Sequence, residues 1–164
     1  MRRSRILTAV LAGLLFAGAL TSPAAADSEG ETDVDPLISE MLAEVPGGVL
    51  IDSDHAVWPE LGMELEVPSL SASNRSSSLS TASVGSCASG SVCVFSGYSL
   101  GGAKLSWGVC GIHSIPSSFT ARSVAHARSS GYTQARNGTT VVATAYANGW
   151  ANIYGYVSNV RCVL

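Results

Sequence analysis

No aspartate or glutamate occurs between Pro68 and Leu164. The twelve acidic residues of the chain all lie between Asp27 and Glu66, and that stretch holds no lysine or arginine. Without a side-chain carboxylate, the C-terminal part cannot build a carboxylate acid/base pair, a Ser-His-Asp triad or a carboxylate cage for calcium or magnesium from its own residues. Its basic residues, Arg75, Lys104, Arg122, Arg128, Arg136 and Arg161, are too few and too scattered for the stripe that follows a nucleic-acid backbone. These absences argue against an enzyme and against a nucleic-acid partner. They leave an acidic segment joined to a mildly basic module suited to binding or scaffolding. The acidic segment is either a solvated leader or a piece that folds back on the basic part; attraction between separated charges is screened by salt, so charge alone does not decide.

Long apolar runs are also missing, except at the start. Arg2, Arg3 and Arg5 precede an apolar run from Ile6 to Leu20, and Ala24 and Ala26 fit an A-x-A cleavage site. This pattern predicts a secretory signal peptide over residues 1–26, too short and wrongly flanked for a stable span. No cysteine lies near the cleavage site, so no lipid anchor is expected. The expected mature chain is exported, extracellular, monomeric and free of the membrane.

Cysteine is absent until Cys87. Cys87, Cys93, Cys110 and Cys162 make an even set, which in an oxidising compartment predicts two disulfides rather than a metal site. Four cysteines allow three connectivities, and composition does not choose among them. His113 and His126 are the only imidazoles of this part. A zinc site would need two more donors than they supply, so they read as surface or partly packed side chains. No metal and no cofactor are expected.

Between Asp27 and Val67 the pattern predicts a short helix and strands. Asp27 to Asp33 is polar. Asp35 can cap a helix whose first position suits Pro36, with Leu37, Ile38, Met41, Leu42 and Val45 as its apolar face. Pro46 and Gly47-Gly48 end it. "GVLID", "AVW" and "GMELEV" follow, the last alternating Met63, Leu65 and Val67 with Glu64 and Glu66. A helix and three short strands are marginal alone, so Trp58 and its neighbours need further cover. Residues 68–86 form a serine-rich linker, a candidate site of proteolysis that would separate the halves.

Residues 87–164 read as all-β. "SVCVF", "AKLSW", "ARSVAHA", "GYTQAR", "TTVVATAY" and "WANIYGYVSNV" are separated by Gly, Asn and Ser turns, the spacing of a small sandwich or Greek-key barrel. Asn148-Gly149 is a hairpin-turn dipeptide. Alternation places most of Tyr146, Trp150, Tyr154 and Tyr156 in the core, with Trp150 the best candidate for exposure and partner contact.

Phe95, Leu100 and Gly102 fit the Greek-key signature of βγ-crystallins: an aromatic, four residues, a large apolar residue, one residue, then glycine. The pattern suits a folded-over hairpin in which the aromatic packs across the turn and the glycine takes a conformation closed to other residues. With its context, "SCASGSVCVFSGYSLGGAKLSW" followed by "FTARSVAHARSSGYTQAR", the stretch Ser86 to Arg136 resembles the streptomycete-type metalloproteinase inhibitors, small secreted proteins with a βγ-crystallin-like fold. The resemblance implies a small βγ-crystallin-like Greek-key sandwich with two disulfides, preceded by the acidic helix-plus-strands segment. It also implies a secreted protease as partner. By the family's pattern the close pair joins locally, Cys87–Cys93, which leaves Cys110–Cys162. Loop-closure entropy then gives about 2 kcal/mol for the first ring and about 4 kcal/mol for the second.

Two departures separate the chain from these relatives. Microbial βγ-crystallins often bind calcium at a stretch that aligns with "SFTARS", where Ser118, Phe119 and Arg122 replace suitable ligands; no such calcium binding is expected. The inhibitors carry a second small cysteine loop in the C-terminal half, where their protease-contacting segment lies; the corresponding region here has no cysteine until Cys162. The candidate contact loops are therefore "SGYSLGG", with Tyr98, and "YANGWAN", with Trp150. The alternative is a non-enzymatic extracellular structural or interaction module of the βγ-crystallin type without inhibitory activity.

Overall fold

The computed structural model describes residues 34–68 and 83–164, which belong to one compact unit. The expected signal peptide, the polar stretch up to Asp33 and most of the serine-rich linker lie outside the described residues. Helix α1 spans Pro36–Glu44. Strands follow at β1 (Val49–Asp52), β2 (His55–Trp58), β3 (Met63–Glu66), β4 (Val92–Phe95), β5 (Lys104–Trp107), β6 (Ile112–Ser114), β7 (Ser123–His126), β8 (Tyr132–Asn137), β9 (Thr140–Tyr146), β10 (Gly149–Asn152) and β11 (Asn159–Val163). All pairings between these strands are antiparallel.

The helix starts where a cap was predicted: Asp35 Oδ1 accepts from Leu37 N at 2.8 Å, and Pro36 opens the first turn. Ile38 and Met41 are its buried positions. Strands β1, β2 and β3 form a meander, and β3 then pairs with β5, Met63 opposite Trp107 and Glu66 opposite Lys104. The acidic segment is thus the outer part of a seven-stranded sheet of order β1-β2-β3-β5-β4-β7-β10. A second sheet has the order β6-β11-β8-β9.

The C-terminal strands fall into two successive sets of four. In each, the first, second and fourth strands share one sheet and the third crosses to the other: β6 leaves β4, β5 and β7, and β10 leaves β8, β9 and β11. The stretch read as "WANIYGYVSNV" is accordingly two strands in different sheets. The turn at Asn148, which takes φ 53°, passes the chain from one sheet to the other and does not close a hairpin between paired strands. Strand β6 carries no apolar alternation and has no counterpart among the predicted strands.

One core lies between the sheets. Val92, Val94, Leu105, Trp107, Val124, Ala135, Ala145 and Val160 line it, and Ile38, Met41, Trp58, Met63 and Leu65 from the acidic segment belong to the same cluster. Burying each larger side chain of that second group contributes about 1.5–3 kcal/mol, which answers how a marginal helix-and-meander stays folded. The Trp58 indole N–H donates to the Val45 carbonyl at 2.9 Å, so its polar edge is satisfied while its ring is buried. Gly48 passes so close to the Trp58 ring and Leu42 that a Cβ there would overlap both.

A smaller cluster covers the opposite face of the large sheet, where Cys87, Cys93, Phe95, Ala125 and Ala127 are joined by Val84 and Leu100. Strand β4 is therefore buried on both sides, and "VCVF" reads as a continuous apolar run. Val84 bridges to Cys87 in a tight turn, so ordered packing begins ahead of the first cysteine. The disulfides are Cys87–Cys93 and Cys110–Cys162, with Cα atoms 5.8 and 4.9 Å apart. The second ties β11 to the loop before β6.

Candidate functional site

After Phe95 the chain folds back over its own sheet. Tyr98–Leu100 make a single short turn, with Ser99 and Leu100 at φ 55° and 65°, a region that costs non-glycine residues about 1–2 kcal/mol each. Specific bonds hold it. Ser123 Oγ donates to the Gly97 carbonyl at 2.7 Å and accepts from Leu100 N at 3.1 Å. Ser96 Oγ accepts from Ala103 N at 2.8 Å. Gly102 has φ 76°, and a Cβ there would strike Ser96 Oγ, so glycine is required twice over. Phe95 is fully buried, and Leu100 packs on the same cluster. The three motif residues thus meet in one folded hairpin.

The hairpin leaves Tyr98 outside, 48% exposed. Its ring stacks on Tyr154 at 5.6 Å between centroids, and the Arg122 guanidinium lies 5.8 Å from the ring centre. Asn152 ties this group to β10: its Oδ1 accepts from Ser99 N at 2.9 Å, and its Nδ2 donates to Tyr154 Oη at 3.4 Å. Trp150, two residues earlier on β10 and 46% exposed, stands on the same face as Asn152, because alternate residues of a strand share a face. The two loops singled out from the sequence are therefore one surface, joined by the Ser99–Asn152 bond.

The expected burial of the aromatic run does not occur. Tyr146, Tyr154 and Tyr156 are 70%, 78% and 65% exposed. Tyr146 ends β9 on the face opposite buried Ala145, and for Tyr154 and Tyr156 the reason is the connection they stand in. Residues 153–158 connect two sheets and carry no strand alternation; only Ile153 and Val157 turn inward, while the tyrosines on either side of Gly155 point out. The one sequence cue for Tyr154 was the Tyr-Gly-Tyr triplet, a composition that suits an exposed loop as well as a strand.

Among the described residues, the acidic segment meets the basic part at polar points that include Lys104 and Glu44. Lys104 Nζ lies 2.8 Å from Glu66 Oε1 and donates to the Ser86 carbonyl at 3.0 Å. A cleft of about 420 Å³ opens beside them, lined by Asp54, His55, Glu66, Ser86 and Lys104 among others. His55 Nε2 is 2.7 Å from Glu64 Oε1. At the second point, Glu44 receives four hydrogen bonds from Ser117 and Ser118. The Ser118 hydroxyl, then the backbone N–H groups, hold its carboxyl down at about 2, against a smaller opposing effect of burial. Ser118, which the sequence placed in a calcium-type stretch, faces an anion with its donors; Phe119 beside it is buried in the core.

The histidines are spent on structure. His126 is fully buried, its Nδ1 2.8 Å from Thr133 Oγ1 and its Nε2 2.7 Å from the Ser130 carbonyl. His113 stacks on Trp107 at 5.1 Å, with Nε2 2.8 Å from the Val109 carbonyl. Among the described residues, no group of three or more His, Cys, Asp or Glu is placed to hold a metal ion. In comparison with known proteins, no family model, no curated protein and no solved structure matches the chain.

Proposed function

We propose that the mature chain is an exported, non-enzymatic binding module of the βγ-crystallin type, related to the secreted metalloproteinase inhibitors, and that it blocks a secreted peptidase with the face carrying Tyr98 and Trp150. The observation that carries the reading is the Ser99–Asn152 hydrogen bond, which fastens the two candidate contact loops into a single exposed aromatic surface. The residue resemblance over Ser86 to Arg136 supports the family, and the Phe95, Leu100 and Gly102 hairpin supports the fold type. Tyrosine, tryptophan and arginine are the side chains that most often dominate protein–protein contacts. Their pre-ordering by the Tyr98–Tyr154 stack and the Ser123 bonds lowers the entropy lost on docking. The test is inhibition of thermolysin-like and serine peptidases by the mature chain, with dose-dependent loss of peptide cleavage expected.

One observation favours a second reading, an extracellular interaction module without inhibitory activity. The "SGYSLGG" loop is turned back on its sheet, and an extended loop of the kind that enters a protease cleft is not what its left-handed Ser99 and Leu100 make. A module that binds an inert protein partner through the same face would leave peptidase rates unchanged while retaining that partner.

A further inference from the structure

Helix α1 ends on Glu44, and the loop between β6 and β7 brings Ser117 and Ser118 to it across the sequence. Ser117 N and Oγ lie 2.6 and 2.9 Å from Glu44 Oε1; Ser118 N and Oγ lie 2.9 and 2.7 Å from Oε2. Each carboxylate oxygen therefore takes two donors, one N–H and one hydroxyl. This arrangement suits a planar, two-oxygen anion, and successive N–H groups aimed at one point are a recognised anion-binding device.

The backbone that carries these donors is anchored by bonds that do not involve Glu44. The turn that holds them is closed by the Phe119 N to Pro116 carbonyl bond at 3.0 Å, and Ile115 N is fixed to the Ser158 carbonyl at 2.9 Å. Ile115 and Phe119 on either side are buried in the core. The serines themselves stand at the surface, where their bonds to Glu44 are exposed. The backbone of this surface turn thus has anchors of its own, and its two N–H groups and two hydroxyls converge on one carboxylate.

We infer that the Ser117–Ser118 turn is a carboxylate-binding site, filled in cis by Glu44, and that an aspartate or glutamate side chain presented from outside competes for it. The acidic segment is then held at this point as a ligand is held, by a group that another acid can replace. This site lies apart from the aromatic face and does not rest on the peptidase reading.

The test uses the mature full-length chain carrying Glu44→Ala, titrated with sodium acetate and, at matched ionic strength, with sodium chloride, while the amide signals of Ser117 and Ser118 are followed by NMR. Saturable shifts with acetate only are expected in the variant, with many-fold weaker apparent affinity in the unsubstituted protein, where Glu44 competes, and several-fold weaker acetate binding when Ser118→Ala is added to the variant. Absence of saturable shifts in the variant, or an equal response in the unsubstituted protein, overturns the inference. If Glu44→Ala is too unstable for spectroscopy, Glu44→Gln keeps the side-chain stem while setting amide donors against serine donors. Acetate should then displace the glutamine and give the same shifts at weaker affinity, and a flat titration there counts against the site.

Discussion

Glu66 of β3 and Lys104 of β5 stand opposite each other across an antiparallel pair, with Oε1 and Nζ 2.8 Å apart and the lysine almost fully buried. One comes from the segment that holds every aspartate and glutamate of the chain, the other from the part that has none. The pair marks the seam along which the two halves become one sheet. Along the same seam, Leu65 lies opposite Leu105 and Met63 opposite Trp107, so the join is apolar on one face and charged on the other.

Cleavage between Pro68 and Ser83 should therefore not release the acidic segment. A protease site placed in that stretch and cut to completion is expected to yield two fragments that co-elute on size exclusion and separate only in denaturant. Elution of a free acidic fragment under native conditions would show that the shared sheet contributes little.

Trp58 supplies the largest side chain that the acidic segment gives to the core, and it is 1% exposed. Trp58→Ala should cost about 3–5 kcal/mol, the range for a deleted buried aromatic, read from urea unfolding. In the cleaved protein the same substitution should let the fragments separate.

Ser123 is fully buried and holds the folded hairpin by two bonds. Ser123→Ala leaves the Leu100 N–H and the Gly97 carbonyl, both part-buried, without that partner, a loss of about 0.5–1.5 kcal/mol for each bond. Beyond the stability change, faster exchange of the Leu100 amide should report a loosened turn, and Tyr98 should lose its fixed stack on Tyr154.

Glu44 makes stability depend on pH. Its carboxyl is held at about 2 in the folded chain against an ordinary value of 4.5. A depressed carboxyl contributes stability that is fully present above the unfolded value and is lost as pH falls through the folded one. Between about 4.5 and 2, the unfolding midpoint should fall less steeply in Glu44→Gln than in the unsubstituted protein. Because the group is largely exposed, salt should weaken the difference. Parallel profiles for the two proteins would show that the serine contacts do not form in solution.

Much of the fold was legible because local physics carried it. Asp35-Pro36 announced the helix start, and Met63-Glu64-Leu65-Glu66 announced a strand with one face buried. Other features depend on partners far away in the chain. Nothing near Glu66 points to Lys104, and Glu44 meets Ser117 and Ser118 only because β3 adds to β5. Strand β6 is illegible in the sequence because three residues, two of them exposed, carry no period. The candidate contact face was half legible: Tyr98 and Trp150 stood out in turn segments, but Tyr154 and Tyr156 read as alternating core until the chain was seen to cross between sheets at Gly155. Asn152, which fastens the two loops together, is an ordinary strand residue in the sequence.

In the proposed function, peptidase inhibition depends on the exposed aromatic face carrying Tyr98 and Trp150. The most direct measurement compares inhibition constants of the mature chain and of a Tyr98→Ala/Trp150→Ala variant, against the same peptidase, with both shown to be folded by near-ultraviolet circular dichroism. At least a hundred-fold weakening is expected, since truncating two anchors at about 2 kcal/mol each removes that much affinity. Equal inhibition by the two folded proteins would contradict it.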